Sequence, residues 1–187
     1  RRGLSGAEFL AGIPGTIGGA LVMNAGIAKD NCSIKKLVEN VTVMDYNGNI
    51  KVLNKKDLKF GYRESGLSKY IILSALLKFN KKSKKHIRDT IKAYLEYRKL
   101  TQDLSKPSAG CIFRNPPGNS AGRLIDLCGL KGKKVGKVAV SGKHANFIVN
   151  LGNGSASDVL KLAGFIRKRV KNQFNINLIP EIKIWQN

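Results

Sequence analysis

The chain has 187 residues, of which 42% are hydrophobic and 25% are charged. This composition is typical of a globular protein and excludes disorder, collagen and coiled coil as descriptions of the whole chain. The 34 Lys and Arg residues against 12 Asp and Glu residues give a net charge of +22, which favours polyanionic ligands of any kind. Three cysteines without a C-x-x-C spacing argue against a disulfide framework and against a zinc site, so no metal is expected.

The first hundred residues predict loops, strands and one long helix. Residues 41–46 and 50–53 have the pattern of a hairpin joined at Asn47-Gly48, and residues 70–79 predict a buried strand. A helix capped by Ser83 should follow, with apolar positions at helical spacing. Its basic residues, Arg98 among them, are expected on a solvated outer face.

A membrane-spanning segment is not expected. Residues 9–28 carry no charge over a membrane-like length, but Pro14 and five glycines would interrupt a spanning helix.

A polar segment over residues 101–108 predicts a linker, with two subdomains that meet near residue 104. Beyond it the pattern predicts, in order, a strand at 111–113, a helix over 121–128 ended by Gly129, strands at 137–140 and 146–150, a helix starting at Ser155 or Ser157, and a strand over 177–185 interrupted at Pro180. Because strands and helices do not alternate regularly, the fold class predicted is α+β.

The segment Gly12-Ile-Pro-Gly15-Thr-Ile-Gly18-Gly19-Ala20 is a candidate anion site. Closely spaced glycines let backbone N–H groups converge on a phosphate, and Thr16 adds a hydroxyl donor. The segment lacks the Gly-Lys-Ser/Thr ending of a Walker loop and does not give G-x-G-x-x-G after a strand. A plain turn and a phosphate cradle therefore both stay open.

Three side chains each allow a structural and a catalytic interpretation. Arg63, beside aromatic residues, is either a packed surface residue or a planar clamp for a carboxylate or an enolate. Cys111 is either a small buried residue or a thiol that can donate a proton, given an ordinary thiol pKa of about 8.5. Glu181 is either paired with a lysine or a buried acid with a raised pKa.

Taken together and in this order, the segments resemble the UDP-N-acetylenolpyruvoylglucosamine reductase family over essentially the whole chain. The strings that carry the resemblance are Gly12–Ala20, Met23-Asn-Ala-Gly26, Phe60-Gly-Tyr-Arg-Glu-Ser65, Pro107-Ser-Ala-Gly-Cys-Ile-Phe-Arg-Asn-Pro116, Ala121-Gly-Arg-Leu-Ile125, Gly129-Leu-Lys-Gly132, Lys143-His-Ala-Asn-Phe-Ile-Val-Asn150 and Pro180-Glu181.

The resemblance implies a cytoplasmic, monomeric flavoenzyme of peptidoglycan precursor synthesis, with neither nucleic acid nor membrane as a partner. FAD would lie between two subdomains of an FAD-linked oxidase-type fold, and a third subdomain would bind the UDP-sugar. NADPH would reduce the flavin, which would pass hydride to C3 of UDP-N-acetylglucosamine enolpyruvate. Protonation at C2 would complete UDP-N-acetylmuramate.

The resemblance also implies roles for particular residues. Arg63 would hold the substrate carboxylate and the developing enolate, Glu181 would polarise that carboxylate, and Cys111 would donate the proton. Tyr62 and Asn115 would contact the substrate together with Arg63 and Glu181. The residues expected against FAD are Gly12, Ile13, Gly15, Thr16, Gly18 and Gly19.

The chain departs from the family pattern at three places, of which the one at Asp103 carries no functional expectation. Cys111 stands where Ser is common, and a thiol can do the same job but is open to oxidation and alkylation. Ile179-Pro-Glu181 replaces Glu-Pro-Glu and keeps the second carboxylate, and Asp103 stands where Pro is usual.

The family's first subdomain would precede Arg1. Residues 1–104 are therefore expected to be the second half of the FAD-binding domain and residues 105–187 the UDP-sugar-binding domain, and this chain alone is expected to be inactive. The alternatives are a basic nucleic-acid-binding module, another FAD-linked oxidase of the same superfamily, and an inactive remnant of the reductase.

Overall fold

A computed structural model of the chain describes residues 2–27 and 30–185. The chain divides into two compact units, Arg1–Arg98 and Lys99–Asn187. Each contains helices and antiparallel strands, which confirms the predicted α+β class. The assignment of a flavin role to residues 1–104 and of a substrate role to residues 105–187 stays a prediction.

The first unit contains most of the short strands. Its elements in chain order are β1 (Leu4–Ser5), α1 (Ile17–Val22), β2 (Gly26–Ile27), β3 (Cys32–Ser33), β4 (Val38–Met44), β5 (Ile50–Asn54), β6 (Ile71–Leu77), β7 (Asn80–Lys81) and α2 (Lys84–Thr101), whose last turn extends into the second unit.

The core of the first unit lies on one face of a three-stranded sheet in the order β5-β4-β6. Val41 in β4 pairs with Leu53 in β5 and with Ala75 in β6, so the three residues share a face. Val41 is fully buried in a cluster with Leu21 and other apolar residues. The predicted hairpin is therefore confirmed, and so is a strand within residues 70–79. The predicted burial of that strand is wrong, because only one face of the sheet packs on the core and the residues of β6 are exposed or half-buried.

Two helices of the first unit have clear starting signals. α2 begins after Ser83, whose hydroxyl oxygen accepts a hydrogen bond from the backbone N–H of His86 at 3.1 Å, as predicted. The short helix α1 was not predicted, although Thr16 caps it by accepting from the N–H of Gly19 at 3.1 Å. Within the described residues no helix is long and apolar enough to span a membrane. Ala28, at the end of the uncharged segment, lies outside the described residues.

The second unit packs two helices against a four-stranded antiparallel sheet. Its elements are β8 (Ser108–Cys111), α3 (Ala121–Leu127), β9 (Lys134–Val135), β10 (Val138–Val140), β11 (Phe147–Asn150) and α4 (Ala156–Phe174), with the sheet in the order β8-β11-β10-β9. Gly129 follows α3 with φ +67°, as its predicted place after the helix end requires.

The amphipathic pattern of α4 positions it on the sheet. Leu162, Ile166 and Val170 recur at helical spacing and are buried, each contributing about 1.5–3 kcal/mol by burial. Of the two possible starts, the structure selects Ser155, because its hydroxyl and the carboxylate of Asp158 form a reciprocal capping box.

Two predicted strands are wrong. The strand expected at 111–113 lies at Ser108–Cys111, because the chain leaves the sheet edge after Cys111. The strand expected over 177–185 is reduced to one bridge between Phe113 and Pro180. Pro180 has no N–H to donate, so a continuous ladder cannot form there.

Candidate functional site

The glycine-rich segment at residues 12–20, called the glycine loop below, consists of an exposed loop at 12–16 and the first residues of α1, where Gly18 is half-buried and Gly19 is exposed. A Cβ built on Gly15 would meet no atom within 4 Å, so another molecule can approach the backbone closely at this point. Gly12 has φ +78°, and a Cβ there would come within 3.0 Å of Leu95 and 3.2 Å of Arg98. The loop is therefore closely packed against α2 at Gly12 and open to an approaching molecule at Gly15.

Arg98 supports the start of this loop, and the sequence analysis placed it wrongly on the solvated face of α2. It is 8% exposed, and its Nε and Nη2 donate to the carbonyl oxygens of Ala11 at 2.9 Å and Phe9 at 3.1 Å. Burial lowers the pKa of its guanidinium, and the nearby positive charge of Arg63 lowers it further. The signal was its spacing, because residue 98 continues the helical stripe that includes Ile91.

The loop carrying Tyr62 and Arg63 is fixed to the segment after α1. Asn24 donates from Nδ2 to the carbonyl oxygen of Gly61 at 2.8 Å, and buried Ser65 donates to that of Val22 at 3.0 Å. Two of the strings that carry the family resemblance, Met23–Gly26 and Phe60–Ser65, therefore meet in space.

Arg63 itself has a left-handed backbone, with φ +58°, and is half-buried. Its Nη1 lies 3.4 Å from the carbonyl oxygen of Gly26, and its guanidinium carbon lies 5.2 Å from the centre of the exposed Tyr62 ring. A non-glycine residue in this region is strained unless its surroundings hold it, and such residues are concentrated at functional sites.

In the second unit the backbone brings Cys111 close to the segment of Glu181. Cys111 is the last residue of β8, and the next residue, Ile112, accepts a hydrogen bond at its carbonyl oxygen from the N–H of Glu181 at 2.8 Å. The N–H of Arg114 donates to the carbonyl oxygen of Ile179 at 2.9 Å. Cys111 and Glu181 are both half-buried, so each can be reached from solvent.

Asn115 lies six residues before α3 and contacts its first residue. It is exposed, and its Oδ1 accepts from the N–H of Ala121 at 3.0 Å, which satisfies one donor of the first helical turn. The neighbouring Arg114 was not predicted as a site residue, but its buried Nε has no acceptor among the described residues. A basic residue between a core phenylalanine and a predicted site residue was the available signal.

A polar loop over residues 141–146 joins β10 to β11. Buried Ser141 donates from its hydroxyl to the carboxylate of Asp103 at 2.8 Å, and hydrogen bonds from Ser105 and from Ser141 lower the pKa of that carboxyl. Burial lowers the pKa of His144, whose Nδ1 accepts from the N–H of Asn146 at 3.2 Å. Asp103 is thus a structural anchor of the loop.

Two further features bear on ligands. Within residues 2–27 and 30–185 there is no group of three or more His, Cys, Asp and Glu side chains that could hold a metal ion. A cavity of about 370 Å³ in the first unit contains no predicted site residue. It is lined by Asp30, His86, Asp89, Thr90, Ala93, Tyr94 and Tyr97.

The chain resembles known proteins along almost its full length. Residues 102–185 match the family described as "UDP-N-acetylenolpyruvoylglucosamine reductase, C-terminal domain". Proteins named UDP-N-acetylenolpyruvoylglucosamine reductase are similar too. That of Caldanaerobacter subterraneus subsp. tengcongensis is 45% identical over 183 residues, covering 97% of this chain and 60% of the relative. That of Caldicellulosiruptor saccharolyticus is 47% identical over 185 residues, covering 97% and 59%.

A solved structure agrees with these relatives. The crystal structure of UDP-N-acetylenolpyruvylglucosamine reductase from Thermus caldophilus matches with a TM-score of 0.85 and 41% identity, over 98% of this chain and 65% of that chain. The chain spans about 60% of the length of the curated relatives it matches.

Proposed function

We propose that the chain is the part of a UDP-N-acetylenolpyruvoylglucosamine reductase that binds and protonates the substrate, because it is similar in sequence and in fold to such reductases over 97–98% of its length. The substrate would be UDP-N-acetylglucosamine enolpyruvate and the product UDP-N-acetylmuramate. The observation that carries the proposal is the backbone pairing between Ile112 and Glu181, which places the segment of Glu181 beside Cys111 in the matched domain.

The residues of the glycine loop fit a flavin diphosphate. Gly15 leaves open space at its surface, Gly12, Ile13 and Thr16 are exposed along the same loop, and Gly19 is exposed in α1. Backbone N–H groups without side chains beside them can approach phosphate oxygens closely. FAD bound there, once reduced by NADPH, would supply the hydride that the substrate accepts at C3.

Arg63 suits the substrate carboxylate. Its guanidinium is planar, permanently positive and held in place by Gly26 and Tyr62, so it can bind a carboxylate through two hydrogen bonds without first being ordered. When C3 accepts hydride, negative charge moves from C2 onto the carboxylate as an enolate. A fixed positive charge at that carboxylate stabilises the enolate, with its additional negative charge, more than it stabilises the singly charged carboxylate of the substrate.

Cys111 would complete the reaction. Its thiol S–H bond breaks as a C–H bond forms at C2, the enolate collapses to the carboxylate, and the thiolate is reprotonated by solvent. One hydride and one proton have then been added across the double bond. Glu181 would lie at the carboxylate and polarise it, Tyr62 and Asn115 would contact the sugar nucleotide, and the unpaired Nε of Arg114 would suit an anionic oxygen.

The test uses the flavin-loaded reductase that contains this sequence. We expect Cys111→Ala to lower the rate of substrate reduction about 10²–10⁴-fold, the usual contribution of a positioned proton donor. Flavin reduction by NADPH should stay at the wild-type rate. Cys111→Ser should restore part of the loss, because a hydroxyl can also donate, and Cys32→Ala, another half-buried cysteine, should change neither rate.

Two outcomes would contradict the proposal. If Cys111→Ala reduces the substrate at the wild-type rate, the thiol is not the donor. If the wild-type flavin is reduced by NADPH but never oxidised by the substrate, the protein is a remnant without this activity.

A further inference from the structure

We infer that Asn146 is a positioning residue for the proposed proton donor. The inference rests on the proposed function of Cys111, and it concerns a buried side chain outside the set of predicted site residues. Asn146 is 3% exposed and lies directly before β11, in the string Lys143–Asn150. Its side-chain amide binds both backbone groups of one residue. Its Oδ1 accepts from the N–H of Phe113 at 3.0 Å, and its Nδ2 donates to the carbonyl oxygen of Phe113 at 2.8 Å.

These two hydrogen bonds take the place of the backbone hydrogen bonds that a longer strand would supply to Phe113. The ladder between β8 and β11 ends where Cys111 pairs with Phe147, and beyond it the N–H of Ile112 still donates to the backbone oxygen of Asn146 at 2.9 Å. One residue further, the facing chain turns away, and the amide of Asn146 pairs with Phe113 as a neighbouring peptide group would. The side chain of Asn146 thereby continues the hydrogen bonding of β8 beyond the end of its ladder with β11.

The opposite side of the same segment is held by residues 179–181. The carbonyl oxygen of Ile112 accepts from Glu181, and the N–H of Arg114 donates to Ile179. The segment 112–114 is thus fixed between Asn146 on one side and the chain of Glu181 on the other. It joins Cys111 directly to Asn115, so three of the predicted site residues depend on its position.

The segment has no other way to satisfy these groups. Ile112 and Phe113 are 2% and 1% exposed, so water cannot replace the amide of Asn146. Asn146 is in turn fixed at its own N–H by Nδ1 of His144, whose ring lies 4.6 Å from that of Phe147. Removing the amide therefore releases the residues that follow Cys111, while β8 before it stays paired.

The chain offers a matched control in Asn150, at the other end of β11. Its Oδ1 accepts from the N–H groups of Gly152 at 2.9 Å and Gly154 at 3.0 Å, and its Nδ2 donates to the carbonyl oxygen of Gly154 at 3.2 Å. Asn150→Asp removes the same kind of donor from the same strand, but it releases a loop that does not lead to Cys111.

The first measurement is the rate at which a small alkylating reagent modifies Cys111 in the full-length reductase that contains this sequence, with the Cys111 peptide resolved from those of the other cysteines by mass spectrometry. We expect Asn146→Asp and Asn146→Leu to raise the Cys111 rate about tenfold, because local opening exposes a half-buried thiol. Asn150→Asp should leave it within about twofold. Asn146→Asp keeps the side-chain oxygen that accepts from the N–H of Phe113. If Asn146→Leu does not fold, the alkylation rate of Asn146→Asp tests the inference on its own.

The second measurement separates a positioning role from a purely stabilising one. In the flavin-loaded reductase, Asn146→Asp should lower kcat for substrate reduction and shift the pH dependence of kcat, while the KM for NADPH stays unchanged. Alkylation of Cys111 at the wild-type rate in both Asn146 variants would overturn the inference, as would an equal increase in Asn150→Asp. The alkylation result does not depend on activity, so failure of the proposed function would be seen separately, in the wild-type protein.

Discussion

Substitution by alanine should change the unfolding free energy at one glycine of the loop, Gly12, and leave it unchanged at another, Gly15. Gly12 is packed and has a left-handed backbone, with φ +78°, whereas Gly15 faces open space. We therefore expect Gly12→Ala to destabilise the protein without reaching the outer surface of the loop. Gly15→Ala should leave stability unchanged and place a methyl group where a ligand would approach.

The magnitude for Gly12→Ala follows from two costs. An alanine in the left-handed region costs about 1–2 kcal/mol. The new Cβ would lie 3.2 Å from the Cδ of Arg98, which cannot withdraw because its guanidinium is bonded to Phe9 and Ala11. Such overpacking costs about 1–3 kcal/mol, reduced here because half-exposed Leu95 can move. The unfolding free energy should therefore fall by about 2–4 kcal/mol.

For Gly15→Ala the unfolding free energy should change by less than about 1 kcal/mol, because a glycine replaced without strain mainly restricts the unfolded chain. Urea unfolding followed by far-ultraviolet circular dichroism measures both variants. In the flavin-loaded reductase, Gly15→Ala should weaken FAD binding if the loop lies against the cofactor, and calorimetric titration measures this.

A fall in unfolding free energy that is equal for the two variants would refute the reasoning, because the structure gives them different surroundings. Unchanged FAD affinity in Gly15→Ala would refute the proposed cofactor role of the loop and leave the stability argument intact.

Two further predictions concern buried polar groups. Ser65→Ala should lower the unfolding free energy by about 1–2 kcal/mol, because the carbonyl oxygen of half-buried Val22 loses its donor, and Ser68→Ala at an exposed position of the same loop is the control. Burial lowers the pKa of His144, so the unfolded state binds the proton more readily. Stability contributed by His144 is therefore fully present above an unfolded pKa of about 6.5 and is lost as the pH falls below it. Unfolding measured between pH 5 and 7.5 should show this slope, and a His144→Gln variant should flatten it; an unchanged slope would contradict the assignment.

Much of the fold followed from the sequence because its signals are local. The hairpin at Asn47-Gly48, the cap at Ser83 and the apolar stripe of α4 depend only on neighbouring residues. The ordered strings from Gly12 to Glu181 were sufficient to predict the similarity to UDP-N-acetylenolpyruvoylglucosamine reductases, because the set is specific even though each string is short.

The tertiary structure decided what depends on partners distant in sequence. Charge patterning placed Arg98 on the solvated face of α2, but the carbonyl groups of Phe9 and Ala11, almost ninety residues earlier, give it a buried position. The strand propensity of residues 177–185 predicted one long strand. The structure shows instead a short backbone contact between residues 179–181 and segment 112–114. The role of Asn146 is of the same kind, because a hydrogen bond across 33 residues leaves no periodicity in the sequence.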